Sequence, residues 1–469
     1  MADAPVPREL SPGQVSATMR SKPYLALLLI AAVVGVLVSL AAWCFLELVY
    51  QIQQEVFTHL PHALGYPHGP PVWWPLPVLA IAGLIVAVVI VRLPGRGGHI
   101  PANGLAAGGA PALVDLPGIV LAGLATLGLG LVLGPETPLI ALGAGLGLLT
   151  IRLARRDVPP QVLVVVAAAG SFAALSFVFT SPLVAAVILI EATGIGGPKL
   201  PLVLVPGLLA AGIGTLVSVG MGSFTGLSNS AYALGALPLP AFGHPDLGDF
   251  GWSIALAIVV AVLARVIMRG GLTTYRIVTP RPLLLLPLGG LIIAGLVILF
   301  SQVTNKSIDD VLFSGQAQLP GLIAHAGTYS LGALALLIVC KGIAYVISLG
   351  SFRGGPTFPA MFLGAAGGIM ASRLPGFPIT AAVAVGMAAA IVGVLKLPLT
   401  AVVIGTVLTS KSGLGVGPLI IVGAVVGYIV MLVVDARWPA SPTTAAGEPQ
   451  PTPATTPADA SSTTPAPAT

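Results

Sequence analysis

The sequence predicts an all-α polytopic membrane protein, organised as a duplicated helical bundle whose helices are partly broken and re-entrant. Three observations predict this class. Of the 469 residues, 56% are hydrophobic and 7% are charged, whereas soluble globular domains are about 25% charged. Apolar runs long enough to cross a bilayer alternate with apolar pieces that are too short to cross one. The two halves of the chain also carry the same pair of motifs in the same order.

The N-terminal part of the chain sets the orientation that we expect. A polar arm, residues 1–22, precedes an apolar run over 23–50, which exceeds the about 20 residues that cover ~30 Å of hydrocarbon. The loop 51–72 has no Lys or Arg, and a second span over about 74–92 ends at Arg92. Because Lys and Arg favour the cytoplasmic side, we expect a protein of the plasma (inner) membrane with a cytoplasmic N-terminus.

The same charge rule applies further along the chain. Basic clusters between Arg152 and Arg156 and between Arg265 and Arg281 predict cytoplasmic segments. The segment 220–248 has no Lys or Arg, and 301–329 has one Lys against two Asp, so both are predicted to be external. The net charge of +5 therefore follows the ordinary membrane pattern and needs no nucleic-acid partner.

Several apolar pieces are interrupted by Gly and Pro and are predicted not to span. Such broken helices occur at membrane depth where they are buried in protein or line a cavity. They are residues 98–111, 137–151, 182–194, 356–370 and 398–410.

An internal repeat relates the two halves. The segment Gly134–Gly147 matches Gly355–Gly368 at an offset of 221, and Pro182–Ile188 matches Pro398–Ile404 at an offset of 216. Paired interrupted segments of this kind point to a binding site at the middle of the membrane. The predicted organisation is a first repeat 23–219, an external loop 220–248, a second repeat 249–436 and a disordered Pro/Ala/Thr-rich tail 437–469.

The matched loops predict an anion site. Each loop places Gly and Pro before a short apolar helix, and the first turn of a helix presents unpaired N–H donors at the positive end of the dipole. Two such ends that meet would bind an anion without a fixed cation, weakly enough to release it. The candidate anion-binding residues of these loops are Gly134, Pro135, Thr137, Gly355, Thr357 and Phe358.

Glu136 is the candidate gate. It is the only acid between Asp115 and Asp157, and an ionisable residue at membrane depth indicates a functional site. When ionised it would occupy the anion site as a tethered anion, and when protonated or displaced it would leave the site to a free ion. The alternative is a Glu that caps its own helix or pairs with a basic residue.

A third loop has the same character. Gly97, Gly98, His99 and Ile100 precede Pro101 and a predicted helix, and they are candidates for further N–H donors on the cytoplasmic side. His99 is either a proton-handling group or a polar residue at the membrane edge.

Three further charged residues are possible accessories. Lys341 lies within the apolar run Ala333–Ile347 and is either a cation of an anion vestibule or a side chain that reaches the surface. The same alternatives hold for Arg353. For Glu191 we expect structural hydrogen bonds near a helix end. The sequence predicts no metal site, no cofactor and no enzymatic activity, because no pair of metal ligands shares a helix and Ser181 has no matching His.

The loops resemble motifs of the CLC chloride channels and chloride/proton antiporters. Gly134–Pro138 resembles the GREGP motif, Gly355–Pro359 the GxFxP region and Gly97–Pro101 the GSGIP motif, and Phe179–Leu183 through Glu191 resembles the segment that ends in two glutamates. The order and spacing agree over 23–436. The resemblance implies an inverted-repeat bundle, a homodimer with one pore per subunit, and a gating role for Glu136.

The chain departs from the family pattern at several positions. The family's central serine falls at Gly98, and the second glutamate, which relays protons in antiporters, falls at Ala192. The family's pore tyrosine is missing, since Tyr428 comes too early. In addition, Pro135 stands for the arginine of GREGP, and Phe358 is shifted by one place.

We therefore expect transport of chloride or a similar small anion, either passive or weakly coupled to protons. A chloride/proton antiporter is the alternative. A cation-coupled solute transporter of another inverted-repeat fold is the second alternative, although more buried polar ligands would be expected of it.

Overall fold

The computed structural model of the chain describes residues 12–105, 109–154, 157–197, 200–225 and 234–438. Within them the chain folds into α-helices joined by turns and by longer irregular connections that contain 3₁₀ turns. Nine of these helices are long and apolar enough to cross a membrane. The first half of the predicted polar arm, Arg155, Arg156, and nearly all of the predicted tail lie outside the described residues. The prediction of an all-α polytopic membrane protein is confirmed.

The first long helix of the first repeat begins with residues that favour a helix N-terminus. The Ser21 hydroxyl accepts the N–H of Tyr24 at 3.3 Å, and a proline follows in the first turn, where its missing N–H is not needed. A π-helical stretch, Glu55–His59, extends this helix. The helices are α1 (Pro12–Met19), α2 (Lys22–Gln54), α3 (Leu60–Ala63), α4 (Pro75–Arg92), α5 (Leu116–Gly128), α6 (Glu136–Ala154), α7 (Pro160–Phe179), α8 (Pro182–Thr193) and α9 (Leu200–Thr225).

The helices of the second repeat are α10 (Leu247–Val278), α11 (Pro282–Thr304), α12 (Leu319–Ala324), α13 (Leu331–Ser351), α14 (Thr357–Ala371), α15 (Ile379–Leu395), α16 (Pro398–Leu408) and α17 (Gly417–Arg437). In this repeat, the four helices from α14 onward follow the same order as the four helices from α6 onward in the first repeat. Helices α8, α14 and α16 have 12, 15 and 11 residues and are short, as predicted. Helix α6 has 19 residues, so it extends beyond the predicted short piece 137–151 and is long enough to span by length and composition. Helix α9 ends at Thr225 and α10 begins at Leu247, so the segment between them is shorter than the predicted loop 220–248.

Corresponding helices of the two repeats pack in corresponding ways. Helix α6 packs on α7 as α14 packs on α15, and α7 contacts α9 as α15 contacts α17. The close approaches use equivalent glycines: Gly143 lies against Gly170, and Gly364 lies against Gly386. A Cβ at any of these four positions would overlap the facing carbonyl. The repeat read from the sequence is therefore also a repeat of packing.

Equivalent helices also meet each other between the repeats. Helix α4 packs on α11, where Gly83 faces the backbone of Leu286 and Gly290 faces the backbone of Leu79. Helix α8 likewise contacts α16, its equivalent in the second repeat. Contacts between equivalent elements are what a two-fold axis between two repeats produces, and inverted repeats of transporters are related by such an axis.

Candidate functional site

The two matched loops meet at a pair of glycines. The N–H of Gly134 donates to the carbonyl of Gly355 at 2.7 Å, and the N–H of Gly355 donates to the carbonyl of Gly134 at 2.5 Å. This antiparallel bridge joins equivalent residues of the two repeats. Because α6 begins at Glu136 and α14 begins at Thr357, the bridge brings the N-termini of the two helices together.

Glu136 reaches across this bridge to the other repeat. Its side-chain Oε1 accepts the backbone N–H of Thr357 at 3.0 Å and that of Phe358 at 3.1 Å, and the residue is 1% exposed. These N–H groups open the first turn of α14, where helical backbone donors have no partner within the helix. Among the described residues, none of the ion pairs includes Glu136. The carboxylate thus occupies the N-terminus of the helix that belongs to the opposite repeat.

The second carboxylate oxygen is less well satisfied. Oε2 of Glu136 is buried and has no hydrogen-bond partner within the described part of the chain, and the same holds for the hydroxyl of the next residue, Thr137. Buried polar atoms usually have partners, and the lack of one costs free energy. Glu136 is therefore held at one oxygen by two hydrogen bonds and left without a hydrogen bond at the other.

Two glycines make room for the carboxylate. A Cβ at Gly355 or at Gly134 would overlap the carboxyl group of Glu136. Glycine is thus required at both positions by a close approach, in addition to the bridge itself.

An aromatic pair and a tyrosine support the loop that receives Glu136. The ring of Phe179 stacks on the ring of Phe358 with centroids 5.3 Å apart, and the hydroxyl of Tyr345 donates to the carbonyl of Pro356 at 2.5 Å. Tyr345 is fully buried. Sequence reasoning missed it, although a Tyr within an apolar run signals a buried hydroxyl that must find a partner.

The third loop is not the start of a helix. A short 3₁₀ turn, Pro101–Asn103, follows it, and among the described residues the next α-helix begins at Leu116, so the prediction of a helix start here is wrong. Gly97 and Gly98 have positive φ angles of 75° and 95°, and a Cβ at Gly97 would come 3.3 Å from Cγ of Arg353. The ring of His99 lies 3.1 Å from the carbonyl of Gly104, and Ile100 packs on the core.

Arg353 lines a cavity together with Arg96. The cavity has a volume of about 280 Å³, and its wall includes Tyr275, Thr279 and Ser351. Arg353 is 5% exposed and donates from Nε to the carbonyl of Arg96 at 3.3 Å. It therefore does not extend to the surface, which was one of the two predicted alternatives. The hydroxyl of Ser351 is buried without a partner.

Lys341 fits neither predicted alternative. It is 0% exposed, and its ammonium donates to four consecutive carbonyls of residues 310–313 at 3.0–3.3 Å. Four carbonyl dipoles replace the water that the ammonium loses on burial. The adjacent Asp310 is also desolvated, and burial raises the pKa of its carboxyl above the ordinary value despite a hydrogen bond from Tyr329. Lys341 thus fastens the segment 310–313 to α13.

Glu191 makes a contact of the same kind as Glu136. Its two oxygens accept the N–H of Leu399 at 2.9 Å and that of Thr400 at 2.7 Å, in the first turn of α16. Glu136 and Glu191, both in the first repeat, therefore cap helices of the second repeat. Both oxygens of Glu191 are satisfied, whereas one oxygen of Glu136 is not.

Comparisons with known proteins agree on one family. The family described as voltage gated chloride channel matches residues 105–432. Relatives include YfeO of Escherichia coli (strain 55989 / EAEC) and of Shigella sonnei (strain Ss046), whose name assigns ion transport provisionally. Each is 29% identical over 383 residues, which cover 80% of this chain and 85% of the relative.

Two solved structures have a similar fold. A slow cyanobacterial Cl⁻/H⁺ antiporter superposes with a TM-score of 0.72 at 20% identity, over 87% of this chain and 94% of that one. A CLC-type fluoride/proton antiporter superposes with a TM-score of 0.65 at 18% identity, over 90% and 97%. At these identities the likeness establishes the fold.

Proposed function

Since this chain belongs to the voltage-gated chloride channel family, we propose that it carries chloride or a similar small anion across the membrane, through a pathway that Glu136 opens and closes. The observation that carries the proposal is the position of the Glu136 carboxylate on the N–H groups of Thr357 and Phe358. A site that holds a carboxylate through neutral backbone donors will also hold a halide. When Glu136 leaves, the transported anion takes the same donors.

No cationic side chain among the described residues pairs with Glu136 at this site, which favours release of a bound anion over tight retention. Glu136 takes part in no ion pair among the described residues, so the donors available to the anion are dipoles of the backbone. Conduction requires binding that is strong enough to admit the ion and weak enough to release it. The candidate residues around this position are Gly134, Pro135, Thr137, Gly355, Thr357 and Phe358.

The cavity at Arg96 and Arg353 is the proposed approach from the cytoplasmic side. Its wall includes the end of α10, which carries the basic cluster that predicts this side. Two guanidinium groups raise the local concentration of anions without touching Glu136. The third loop, Gly97–Ile100, lies along this approach, since Gly97 contacts Arg353.

Passive or weakly coupled transport is the form that we propose. Antiporters of the resembled family use a second glutamate, and Ala192 stands at that position. The neighbouring Glu191 accepts two backbone N–H groups, and these hydrogen bonds hold its side chain at the N-terminus of α16. Coupled exchange is the second candidate, because both structural neighbours are antiporters by name.

Flux from liposomes tests the proposal. Purified protein in liposomes loaded with chloride should release it when valinomycin clamps the potential. No release would contradict anion transport, and cation-dependent uptake of an organic solute would support the other transporter class. A pH electrode separates the two forms, because uphill proton movement driven by a chloride gradient would establish antiport.

The protein is an integral membrane protein, and we propose for it the plasma (inner) membrane with a cytoplasmic N-terminus. We also propose a homodimer in which each subunit has its own pathway. Mass measurement in detergent gives the number of subunits. A dimer that mixes intact and Glu136→Gln subunits should show the sum of two independent fluxes.

A further inference from the structure

A large apolar cavity opens between α10, α13, α14 and α15, away from the bridge. Its volume is about 770 Å³, within the range of ~300–1,000 Å³ that is usual for small-molecule sites. Its wall is almost entirely aliphatic and includes Val260, Ile267, Ile338, Leu363 and Met370. We propose that this cavity binds a phospholipid of the surrounding bilayer, with an acyl chain in the cavity and the phosphate at Arg373.

The shape of the cavity fits an acyl chain that enters from the membrane. Along α13 the wall runs from Leu331 to Tyr345, 14 positions further on, which is about 21 Å at 1.5 Å per residue. This length is more than half of the ~30 Å hydrocarbon core of a bilayer. The rim residues Val259 and Leu331 are 64% and 54% exposed, and both stand on helices long enough to span. The opening therefore faces hydrocarbon.

The end of the cavity at Arg373 and Trp252 carries groups suited to a lipid headgroup. Arg373 lies in the wall and is exposed, and one of its nitrogens donates to the carbonyl of Ala326 at 2.9 Å. Trp252 lies beside it in the wall and donates its ring N–H to the carbonyl of Pro375 at 3.2 Å. Trp is enriched at the membrane interface, and guanidinium groups pair with phosphate. The cavity is thus apolar inside and cationic at its interfacial end.

The two acids at the start of α10 do not directly neutralise the positive charge of Arg373. Asp246 and Asp249 each accept the other's backbone N–H, at 2.7 Å and 3.0 Å, in a capping box. Their carboxylates are therefore oriented toward the helix terminus, where they complement its dipole.

The floor of the cavity is kept open by a glycine. A Cβ at Gly367 of α14 would have only Val260 near it, at 3.8 Å. A longer side chain at this position would enter the cavity without meeting backbone. The wall of α14 continues to Ala360 and Leu363, in the helix whose first turn receives Glu136. An acyl chain would therefore pack on the helix that holds the gate.

The test compares Gly367→Leu with Gly295→Leu. Gly295 lies on α11, is exposed, and has nothing within 4 Å of an added Cβ, so it is a matched control outside the cavity. Native mass spectrometry of the purified protein should show one phospholipid retained per chain in the wild type and in Gly295→Leu. Gly367→Leu should lose it.

A phospholipid with a photoactivatable group at the end of its acyl chain locates the chain. We expect adducts on the inner wall, at Leu363 or Met370, in the wild type and in the control but not in Gly367→Leu. Arg373→Gln should weaken phospholipid retention about tenfold, and it should leave retention of diacylglycerol, which has no phosphate, unchanged.

Several results would overturn the proposal. Adducts confined to the exposed rim would show ordinary surrounding lipid. Equal retention of diacylglycerol and phospholipid would remove the role of Arg373. Cross-links between two copies of the chain through α10 and α13, with no lipid adduct, would show that a second subunit covers the cavity. Binding is measured here without any transport assay, so the result does not depend on the proposed function.

Discussion

Replacing Glu136 by Gln changes the charge of the proposed gate and leaves its size. The amide oxygen can still accept the N–H groups of Thr357 and Phe358, which hold Oε1 at 3.0 and 3.1 Å. Hydrogen bonds to charged groups contribute about 1.5–3 kcal/mol and neutral ones about 0.5–1.5 kcal/mol, so two bonds lose about 2.5 kcal/mol. That difference shifts the balance between the side chain and a free anion by about 60-fold.

We expect chloride efflux from liposomes at neutral pH to rise by up to about 60-fold in Glu136→Gln and to lose most of its dependence on pH. Glu136→Ala, which removes both oxygens, should behave alike. Glu191→Gln is the matched control, because Glu191 also accepts two N–H groups at a helix N-terminus of the second repeat. It should keep the pH dependence of the wild type.

A pH dependence that survives in Glu136→Gln would refute the reasoning. So would an efflux that falls in both variants while the protein remains monodisperse and keeps its thermal midpoint. In either case Glu136 would be a structural cap of α14, and the anion pathway would lie elsewhere.

Three further substitutions test neighbouring features. Gly355→Ala places a Cβ where the carboxylate of Glu136 lies, so this substitution should raise efflux. Adding Glu136→Gln to Gly355→Ala should then change efflux less than about twofold, because the two substitutions act on one contact. Effects of the two substitutions that simply add would contradict this reasoning. Lys341→Met leaves four buried carbonyls without their donor and should lower the free energy of unfolding by about 3 kcal/mol, seen as a lower thermal midpoint. The half-buried Lys306, whose ammonium donates to one side chain, that of Thr328, is the comparison, and Lys306→Met should cost less than about 1.5 kcal/mol. Arg353→Gln should reduce efflux several-fold at low ionic strength and less at high ionic strength, because salt screens its field; Arg353→Lys should retain most of the efflux, and an effect that is independent of salt would oppose an electrostatic role.

The sequence was informative wherever a feature is local or repeated. The lengths of the helices follow from the lengths of the apolar runs. Gly134 and Gly355 occupy equivalent positions in two matched motifs, and this equivalence indicated that the two loops would meet. Glu136 stood out because a lone acid in an apolar stretch must be compensated. Each of these inferences needs only neighbouring residues or a comparison of the chain with itself.

The failures concern contacts between distant segments. Lys341 is satisfied by carbonyls about thirty positions upstream, and no periodicity of α13 contains that information. The third loop contains Gly and Pro as the other two do, yet it leads to a 3₁₀ turn, because the same residues also suit an irregular connection. Tyr345 was overlooked because its partner, the carbonyl of Pro356, becomes visible only when α13 and the following loop are folded together.

The bridge between Gly134 and Gly355 has a consequence for rectification. The two glycines exchange the same pair of backbone hydrogen bonds, so the backbone of the bridge alone does not distinguish inward from outward flow. At the bridge, a preference for one direction needs equivalent positions that carry different side chains. Glu136 and Thr357 are such a pair. At this bridge, the asymmetry therefore lies in the exchange of Glu136 for Thr357.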